Sequence, residues 1–197
     1  YQEMPDGSLA WGAWTGSYDE ALRIVRPDGS SETLWDCDQF IVDLGIERSC
    51  ASNTLNYDEA TNTFLYSFFT FEAVIEIDAT SGEPLRWFGQ LPGAYAFDPP
   101  SSEFFYQHGA HYTDSGTLLL SSHSSDGSEE LVIREYEVDT ASETLREVFS
   151  FGDGLGITGP DMGDAYKLPG GNILHNHGTN PRLREVTPSG EVVWDLT

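Results

Sequence analysis

The sequence has little positive charge. Lysine and arginine together number 9 against 33 aspartate and glutamate residues, the formal net charge is −24, and the single lysine is Lys167. Binding to nucleic acid phosphates needs clustered lysine and arginine, and an anionic membrane surface repels an acidic protein. We therefore expect an acidic protein that binds neither nucleic acid nor an anionic membrane.

Long apolar runs and cysteines are also scarce. No apolar run approaches the roughly 20 residues that cross a bilayer, so we expect no membrane span. The only cysteines are Cys37 and Cys50. Two cysteines in a β-rich acidic chain are typical of one disulfide in an exported protein, and two unpaired buried thiols are the alternative. A periplasmic or secreted protein is expected.

Turns recur along the chain at a nearly constant spacing. Four turns end at Gly7, Asn62, Gly116 and Gly171, which gives steps of 55, 54 and 55 residues (62 − 7, 116 − 62 and 171 − 116). Each turn is followed by alternating segments rich in β-branched and aromatic residues, with Asp-Gly or Ser-Gly hairpins between them. A fixed period of about 50 residues built only from strands predicts the blades of a β-propeller.

The repeat predicts an all-β chain of about four blades, each a four-stranded antiparallel sheet, in one domain over residues 1–197. The units lie at about 1–35, 50–87, 104–149 and 160–197. Only residues 1–3 are available for the first strand, so we expect a piece of a longer propeller, whose missing blades come from the rest of the chain or from another chain. A small complete propeller is the alternative.

Other local features complete the predicted architecture. No amphipathic helix is evident, and the Gly- and Pro-rich stretches 88–103 and 152–162 are predicted to be loops between blades. An aromatic residue recurs at the end of each unit, and we expect these rings to pack between neighbouring blades. They are Trp35, Trp87, Phe149 and Trp194.

Histidine is the side chain best suited to act as base, acid or nucleophile near neutral pH. His108 precedes the turn residue Gly116 by eight positions, on the predicted inner strand of its unit, so we expect it to face the channel. Residues two apart share a face of a strand, so His175 and His177 should point the same way. In a regular strand His111 would face away from His108. His123, at a strand end, is expected to face solvent.

The spacing of these histidines raises the question of a metal site. A His-x-His pair together with His108 is a possible zinc or copper ligand set. No cysteine or carboxylate completes an obvious set in the sequence, so no metal is predicted. A metal-assisted hydrolase or lyase that uses His108, His175 and His177 remains a third hypothesis for the function.

Three segments, in order, resemble the bacterial arylsulfate sulfotransferases. They are Phe-Phe-Tyr-Gln-His-Gly-Ala-His at 104–111, Gly-Asp-Ala-Tyr-Lys-Leu-Pro-Gly-Gly-Asn-Ile-Leu at 163–174, and Arg-Glu-Val-Thr-Pro-Ser-Gly-Glu-Val-Val-Trp at 184–194. Upstream, residues 52–58 and 75–87 fit the same pattern. The resemblance covers about residues 35–196, and the Gln-His step followed by Leu-Pro-x-Gly-Asn is its most specific part.

The resemblance implies a six-bladed propeller exported to the periplasm or cell surface. It also implies transfer of a sulfuryl group from an aryl sulfate to a phenol, with no nucleotide sulfate donor and no cofactor. The group travels on a channel histidine as sulfohistidine, which is covalent catalysis. His108 stands where the family motif places that nucleophile.

The sequence departs from the family at two places. Where the family has His-x-Asn-Ser, the chain has Ala51 in place of the histidine and keeps Asn53. Where the family has an arginine at a nearby strand end, the chain reads Ser-Phe-Phe-Thr at 67–70. The substrate contacts proposed from the sequence are Asn53 and Thr179, with His111, His177 and Arg48 as substitutes for the missing groups. A non-catalytic propeller that binds a ligand or partner is the alternative.

Overall fold

A computed structural model describes residues 1–14, 20–161 and 163–197. The chain divides into two compact units, Tyr1–Ala94 and Tyr95–Thr197. Each unit contains two β-sheets, and in every sheet four strands follow one another along the chain as antiparallel neighbours. In the described part of the chain no helix is long and apolar enough to cross a membrane.

The first unit contains sheets 1 and 2 with one helix between them. Sheet 1 consists of β1 (Gln2–Glu3), β2 (Leu9–Trp14), β3 (Glu20–Val25) and β4 (Ser31–Asp36). Helix α1 (Cys37–Asp43) follows. Sheet 2 consists of β5 (Ser52–Asp58), β6 (Thr63–Phe68), β7 (Ala73–Asp78) and β8 (Pro84–Gly89).

The second unit contains sheets 3 and 4. Sheet 3 consists of β10 (Phe105–Tyr112), β11 (Leu118–His123), β12 (Leu131–Asp139) and β13 (Thr144–Phe151), with β9 (Ala96–Asp98) added beside β13. Sheet 4 consists of β14 (Asp164–Lys167), β15 (Ile173–Asn176), β16 (Leu183–Val186) and β17 (Val192–Leu196).

The four predicted turns connect the first two strands of the four sheets. Gly7, Gly116 and Gly171 have φ angles of 82°, 78° and 89°, and Asn62 has 54°. Glycine and asparagine tolerate this left-handed region better than other residues. In the three glycine turns the amide of the glycine donates to the carbonyl three residues earlier, at 2.8–2.9 Å. The spacing of these four turn residues in the sequence therefore predicts where each sheet begins.

Two elements differ from the sequence prediction. Helix α1 was not predicted; Asp36 caps it by accepting a hydrogen bond from the Gln39 amide at 3.1 Å. The stretch 88–103 is not only a loop, because β9 pairs in parallel with β13. The described part of 152–162 contains a single isolated bridge, from Thr158 to Glu130, and Met162 lies outside the described residues.

The predicted disulfide is present. Cys37, the first residue of α1, is bonded to Cys50 with a sequence separation of 13, and both are fully buried. In the loop-entropy account a crosslink of this length stabilises the folded chain by about 3 kcal/mol. It fixes the start of α1 to the segment that enters β5.

Two of the four aromatic residues at the ends of the units pack between sheets as predicted. Trp35 of sheet 1 lies 6.0 Å and 5.8 Å, between ring centroids, from Tyr66 and Phe68 of sheet 2. Phe149 of sheet 3 packs against the buried cluster of Leu119, Ile133, Ala165, Ile173 and Val186, which spans sheets 3 and 4. Trp87 contacts Phe40 of α1 instead, and Trp194 is 39% exposed.

A glutamate occupies one equivalent position in three of the sheets. Glu76, Glu135 and Glu185 lie on the third strands, each opposite a leucine of the second strand and each directly before a shift in register. Both carboxylate oxygens of Glu76 accept bonds from Arg86, at 2.5 and 3.0 Å. Both oxygens of Glu185 are also occupied, by Asn172 and Trp194. At this position, the glutamates of sheets 2 and 4 therefore hydrogen-bond with both carboxylate oxygens to side chains of their own sheet.

Candidate functional site

His108 lies on β10, the first strand of sheet 3, as predicted. The strand is irregular: its pairing with β11 shifts in register between Phe105 and His108 and again between His108 and His111. Tyr106 and Gly109 have φ angles of 48° and 65°. Because of these bulges, the rule that residues three apart face opposite ways cannot be applied to this strand.

The His108 imidazole is half-buried and neutral. Its Nε2 atom is shielded from solvent and has no hydrogen-bond partner among the described residues. Burial and, to a lesser extent, the His123 charge lower the pKa of His108 from 6.5 to about 4 against the opposing effect of Asp161. At neutral pH the ring is therefore neutral, and one of its two nitrogens carries a free lone pair.

Tyr106 connects His108 to two further side chains. Its ring meets the His108 ring edge-on, with centroids 5.8 Å apart, and stacks on His123 at 5.0 Å. Its hydroxyl donates to Asp161 Oδ1 at 3.1 Å. Asp161 is held in turn by Thr179, whose hydroxyl and amide both donate to the Asp161 carbonyl, at 3.0 and 3.1 Å. We call Tyr106, His108, His123, Asp161 and Thr179 the His108 cluster.

The cluster contains residues that the sequence interpretation missed. His123 was expected to face solvent, and this is wrong: it is half-buried under Tyr106, and its Nε2 donates to the Gly159 carbonyl at 2.9 Å. The sequence did not predict a role for Tyr106 or Asp161 in the site. Tyr106 lies inside the quoted Phe-Phe-Tyr-Gln-His motif, which was a usable signal, whereas nothing in the sequence around Asp161 marks its role.

His111 has different neighbours from His108. Its Nδ1 donates to the Gly109 carbonyl at 2.8 Å, and its ring stacks on Tyr166 with centroids 5.3 Å apart. It lines a cavity of about 290 Å³ together with Tyr166 and Lys167. None of its described contacts is with the His108 cluster, so its role as a substrate contact stays a prediction.

His175 and His177 do lie side by side, as their spacing predicts. Their ring centroids are 4.2 Å apart. His175 Nε2 and Ser121 Oγ share a hydrogen bond of 3.0 Å. His177 is 1% exposed, and neither of its ring nitrogens has a partner among the described residues. Burial, followed by the charges of Arg184 and Arg182, lowers the pKa of His177 to about 4.

This histidine pair should make the folded state sensitive to acid. Burial, followed by the His177 charge, also lowers the pKa of His175 well below 6.5. Between about pH 6.5 and pH 4 the unfolded chain binds more protons than the folded one, so stability is complete above pH 6.5 and falls as pH approaches 4. We expect His177→Phe to reduce this loss by about 2 kcal/mol in urea unfolding at pH 7 and pH 4.5.

The half-exposed His111 offers a matched control, because His111→Phe also removes one imidazole. A reduced acid loss in His177→Phe that His111→Phe does not share would assign the effect to the buried pair. Equal acid losses for the wild type and His177→Phe would contradict the assignment to His177.

Arg48 and Asn53 belong to the first unit. Asn53 lies on β5 at a shift in register between Ser52 and Thr54. Arg48 is exposed, and its Nη1 donates to the Thr70 carbonyl at 3.4 Å. Thr70 closes the 67–70 segment where the resemblance expects an arginine, so Arg48 brings a guanidinium to that neighbourhood. Both residues remain predicted substrate contacts.

The cations of the second unit are engaged elsewhere. Across residues 95–161 and 163–197 every arginine and lysine forms an ion pair with a carboxylate. The pairs are Arg134–Glu147, Arg146–Glu137, Lys167–Glu135, Arg182–Asp195 and Arg184–Asp195. The His108 cluster itself contains one carboxylate and no lysine or arginine. Among the described residues no group of three or more His, Cys, Asp or Glu could hold a metal ion.

Comparison with known proteins adds information on the fold. No protein-family model and no curated protein sequence matches the chain significantly. Three solved structures match most of it. The β-propeller domain of Myceliophteria thermophila Cps50 (Swd1) has a TM-score of 0.56 and 15% identity, over 90% of this chain and 54% of that one. A protein of unknown function from Bacteroides caccae has a TM-score of 0.54 and 16% identity, over 96% of this chain and 57% of that one. A streptogramin B lyase has a TM-score of 0.51 and 9% identity, over 98% of this chain and 52% of that one.

At these identities the matches show the fold alone. The predicted fold class, an all-β propeller of four-stranded antiparallel blades, is confirmed by the four sheets and by the likeness to a solved propeller domain. The chain spans just over half the length of the three solved chains. The arrangement as one domain, the arylsulfate sulfotransferase family and the roles of the site residues stay predictions.

Proposed function

We propose that the chain is part of an exported enzyme that transfers a sulfuryl group from an aryl sulfate to a phenol, without a nucleotide donor. His108 is the proposed nucleophile. The observation that carries this proposal is the state of its imidazole, which is neutral at pH 7 and has no hydrogen-bond partner at Nε2 among the described residues. A histidine nucleophile needs such a lone pair. The disulfide is consistent with export, since such bonds persist in oxidising compartments.

The reaction follows two balanced steps. In the first, a ring-nitrogen lone pair of His108 attacks the sulfur, an N–S bond forms, and the bond from sulfur to the aryl oxygen breaks to release a phenolate, which is protonated by water. In the second, the acceptor phenol loses its proton to solvent, its oxygen attacks the sulfur, and the N–S bond breaks. His108 is returned unchanged, so one site serves donor and acceptor in turn.

The His108 cluster orients this nucleophile. Tyr106 contacts the imidazole edge, and Tyr106 is itself stacked on His123 and bonded to Asp161. Thr179 positions Asp161. Among the substrate contacts proposed from the sequence, Thr179 is thus connected to His108, through Asp161 and Tyr106. Asn53, Arg48, His111 and His177 remain proposed contacts for the sulfuryl oxygens, whose negative charge needs hydrogen-bond donors.

A non-catalytic, ligand-binding propeller is the second candidate. It is favoured by one observation: every cation of the described second unit is paired with a carboxylate, so none is free to hold an anionic donor. The net charge of −24 also repels anions.

The two candidates predict different kinetics. The full-length protein is incubated with 4-nitrophenyl sulfate and phenol, and release of nitrophenol is followed at several concentrations of both. Sulfuryl transfer through His108 predicts parallel double-reciprocal plots and, after alkaline quenching, a sulfuryl group on the peptide that contains His108. Turnover with a label on another residue would remove His108 from the mechanism. Saturable binding of 4-nitrophenyl sulfate without any turnover would support the second candidate.

A further inference from the structure

Glu135 differs from the two glutamates at the equivalent position. It is 3% exposed and accepts two hydrogen bonds, from Thr117 Oγ1 at 2.6 Å and from Lys167 Nζ at 2.5 Å. Both reach the same oxygen, Oε1. Among the described residues none donates to Oε2, whereas both oxygens of Glu76 and of Glu185 are occupied. Oε2 is not sealed from solvent, so it is open to accept a hydrogen bond from a ligand hydroxyl.

Glu135 opens onto a cleft between sheets 3 and 4 of the second unit. The cleft has a volume of about 540 Å³, within the range of small-molecule sites, about 300–1,000 Å³. Its polar end consists of Glu135, Lys167 and Thr117. Its apolar wall includes Val148, Phe149, Ile173 and Pro188. The cleft is therefore apolar on one side, with a small polar group at its end, as in many ligand sites.

The charges around the cleft favour a neutral ligand. Glu135 is balanced by Lys167, and Glu137 at the rim is balanced by Arg146. An anion would meet both glutamates, and an organic cation would meet Lys167. The Lys167 ammonium has three N–H donors and uses one on Glu135. The free acceptor on Glu135 and the remaining donors of Lys167 thus stand side by side, as adjacent hydroxyl groups require.

We propose that this cleft is a binding site for a neutral carbohydrate, distinct from the His108 cluster. Oε2 of Glu135 accepts a hydrogen bond from one sugar hydroxyl, and Lys167 Nζ donates to the neighbouring hydroxyl oxygen. The C–H face of the ring packs on Val148 and Phe149. The cavity of about 290 Å³ beside His111 shares Ser115, Lys167 and Gly171 with the cleft and would take a second sugar unit against the half-exposed Tyr166.

The test uses three sugars of the same shape and different charge: glucose, glucosamine and glucuronate. Ligand-detected saturation-transfer NMR on the full-length protein should show binding of glucose, and of maltose more tightly, with glucosamine and glucuronate each at least tenfold weaker. No signal from glucose or maltose would overturn the proposal. Tighter binding of either charged sugar than of glucose would overturn it as well.

Two variants place the site. Glu135→Gln removes the charge of the acceptor with little change in shape and should weaken glucose about tenfold. Val148→Trp fills the cleft from its rim, touches no ion pair, and should abolish binding even if Glu135→Gln folds poorly. Glu185→Gln, the matched change at the closed position of sheet 4, should leave binding unchanged. Undiminished binding by Val148→Trp, with its circular dichroism melt as in the wild type, would put the sugar elsewhere.

The proposal is independent of sulfuryl transfer. His108→Ala should bind glucose like the wild type, because no described contact joins His108 to Glu135 or Lys167. A protein without aryl sulfate turnover that binds glucose would leave the carbohydrate site intact and refute only the transferase.

Discussion

Replacement of His108 by alanine should lower kcat/KM for aryl sulfate turnover by about 10³-fold or more. The variant has no atom that can form the N–S bond, and loss of a covalent nucleophile has effects of at least this size. His108→Gln should be as inactive, because an amide of similar size cannot carry the sulfuryl group. Initial rates with 4-nitrophenyl sulfate measure both variants, with circular dichroism to confirm that they fold.

The pH profile separates a nucleophile from a structural histidine. Because burial lowers the pKa of His108 to about 4, the neutral imidazole persists well below the ordinary value of 6.5. The acid limb of kcat/KM should therefore lie near pH 4. An acid limb near pH 6.5, or an active His108→Ala protein, would refute the role of His108.

Replacement of Arg86 by methionine should destabilise the first unit by about 3–5 kcal/mol. Glu76 is fully buried, and Arg86 contacts both of its oxygens. Removal of the guanidinium takes two charge-assisted hydrogen bonds from a carboxylate in the interior, which costs far more than the loss of an exposed pair. Urea unfolding at pH 7 measures the loss.

Two further variants control this prediction. Glu76→Gln combined with Arg86→Met removes both charges and should recover most of the lost stability. Arg146→Met breaks an ion pair whose side chains are 55% and 53% exposed and should cost less than about 1 kcal/mol. Similar losses for Arg86→Met and Arg146→Met would show that burial of Glu76 does not set the cost.

The sheets could be predicted from the sequence because their turns rely on local chemistry. Gly7, Gly116 and Gly171 occupy a backbone region that favours glycine, so their period is visible without a structure. Helix α1 was missed because seven residues give too little periodicity, and because the Cys37 crosslink and the burial of Phe40 and Ile41 depend on partners distant in the chain. β9 was missed because its partner, β13, lies 48 residues away (144 − 96).

The candidate site was only partly predictable. His108 could be placed on the first strand of its sheet from its distance to the turn. The stack of Tyr106 on His123 could not, since it depends on a positive φ at Tyr106 and on a strand bulge. The bond from Tyr106 to Asp161 joins residues 55 positions apart, and no local pattern signals such a contact.

The short strand β9 has a consequence for self-association. A strand at the edge of a sheet exposes a row of unpaired amides and carbonyls, which is a template for aggregation with another chain. β9 occupies that row along β13 at Thr144, Leu145 and Arg146. The remaining residues of β13, up to Phe151, extend beyond β9 and do not pair with it. Within the described part of the chain, β9 therefore protects this edge of sheet 3 against intermolecular strand pairing at one end of β13.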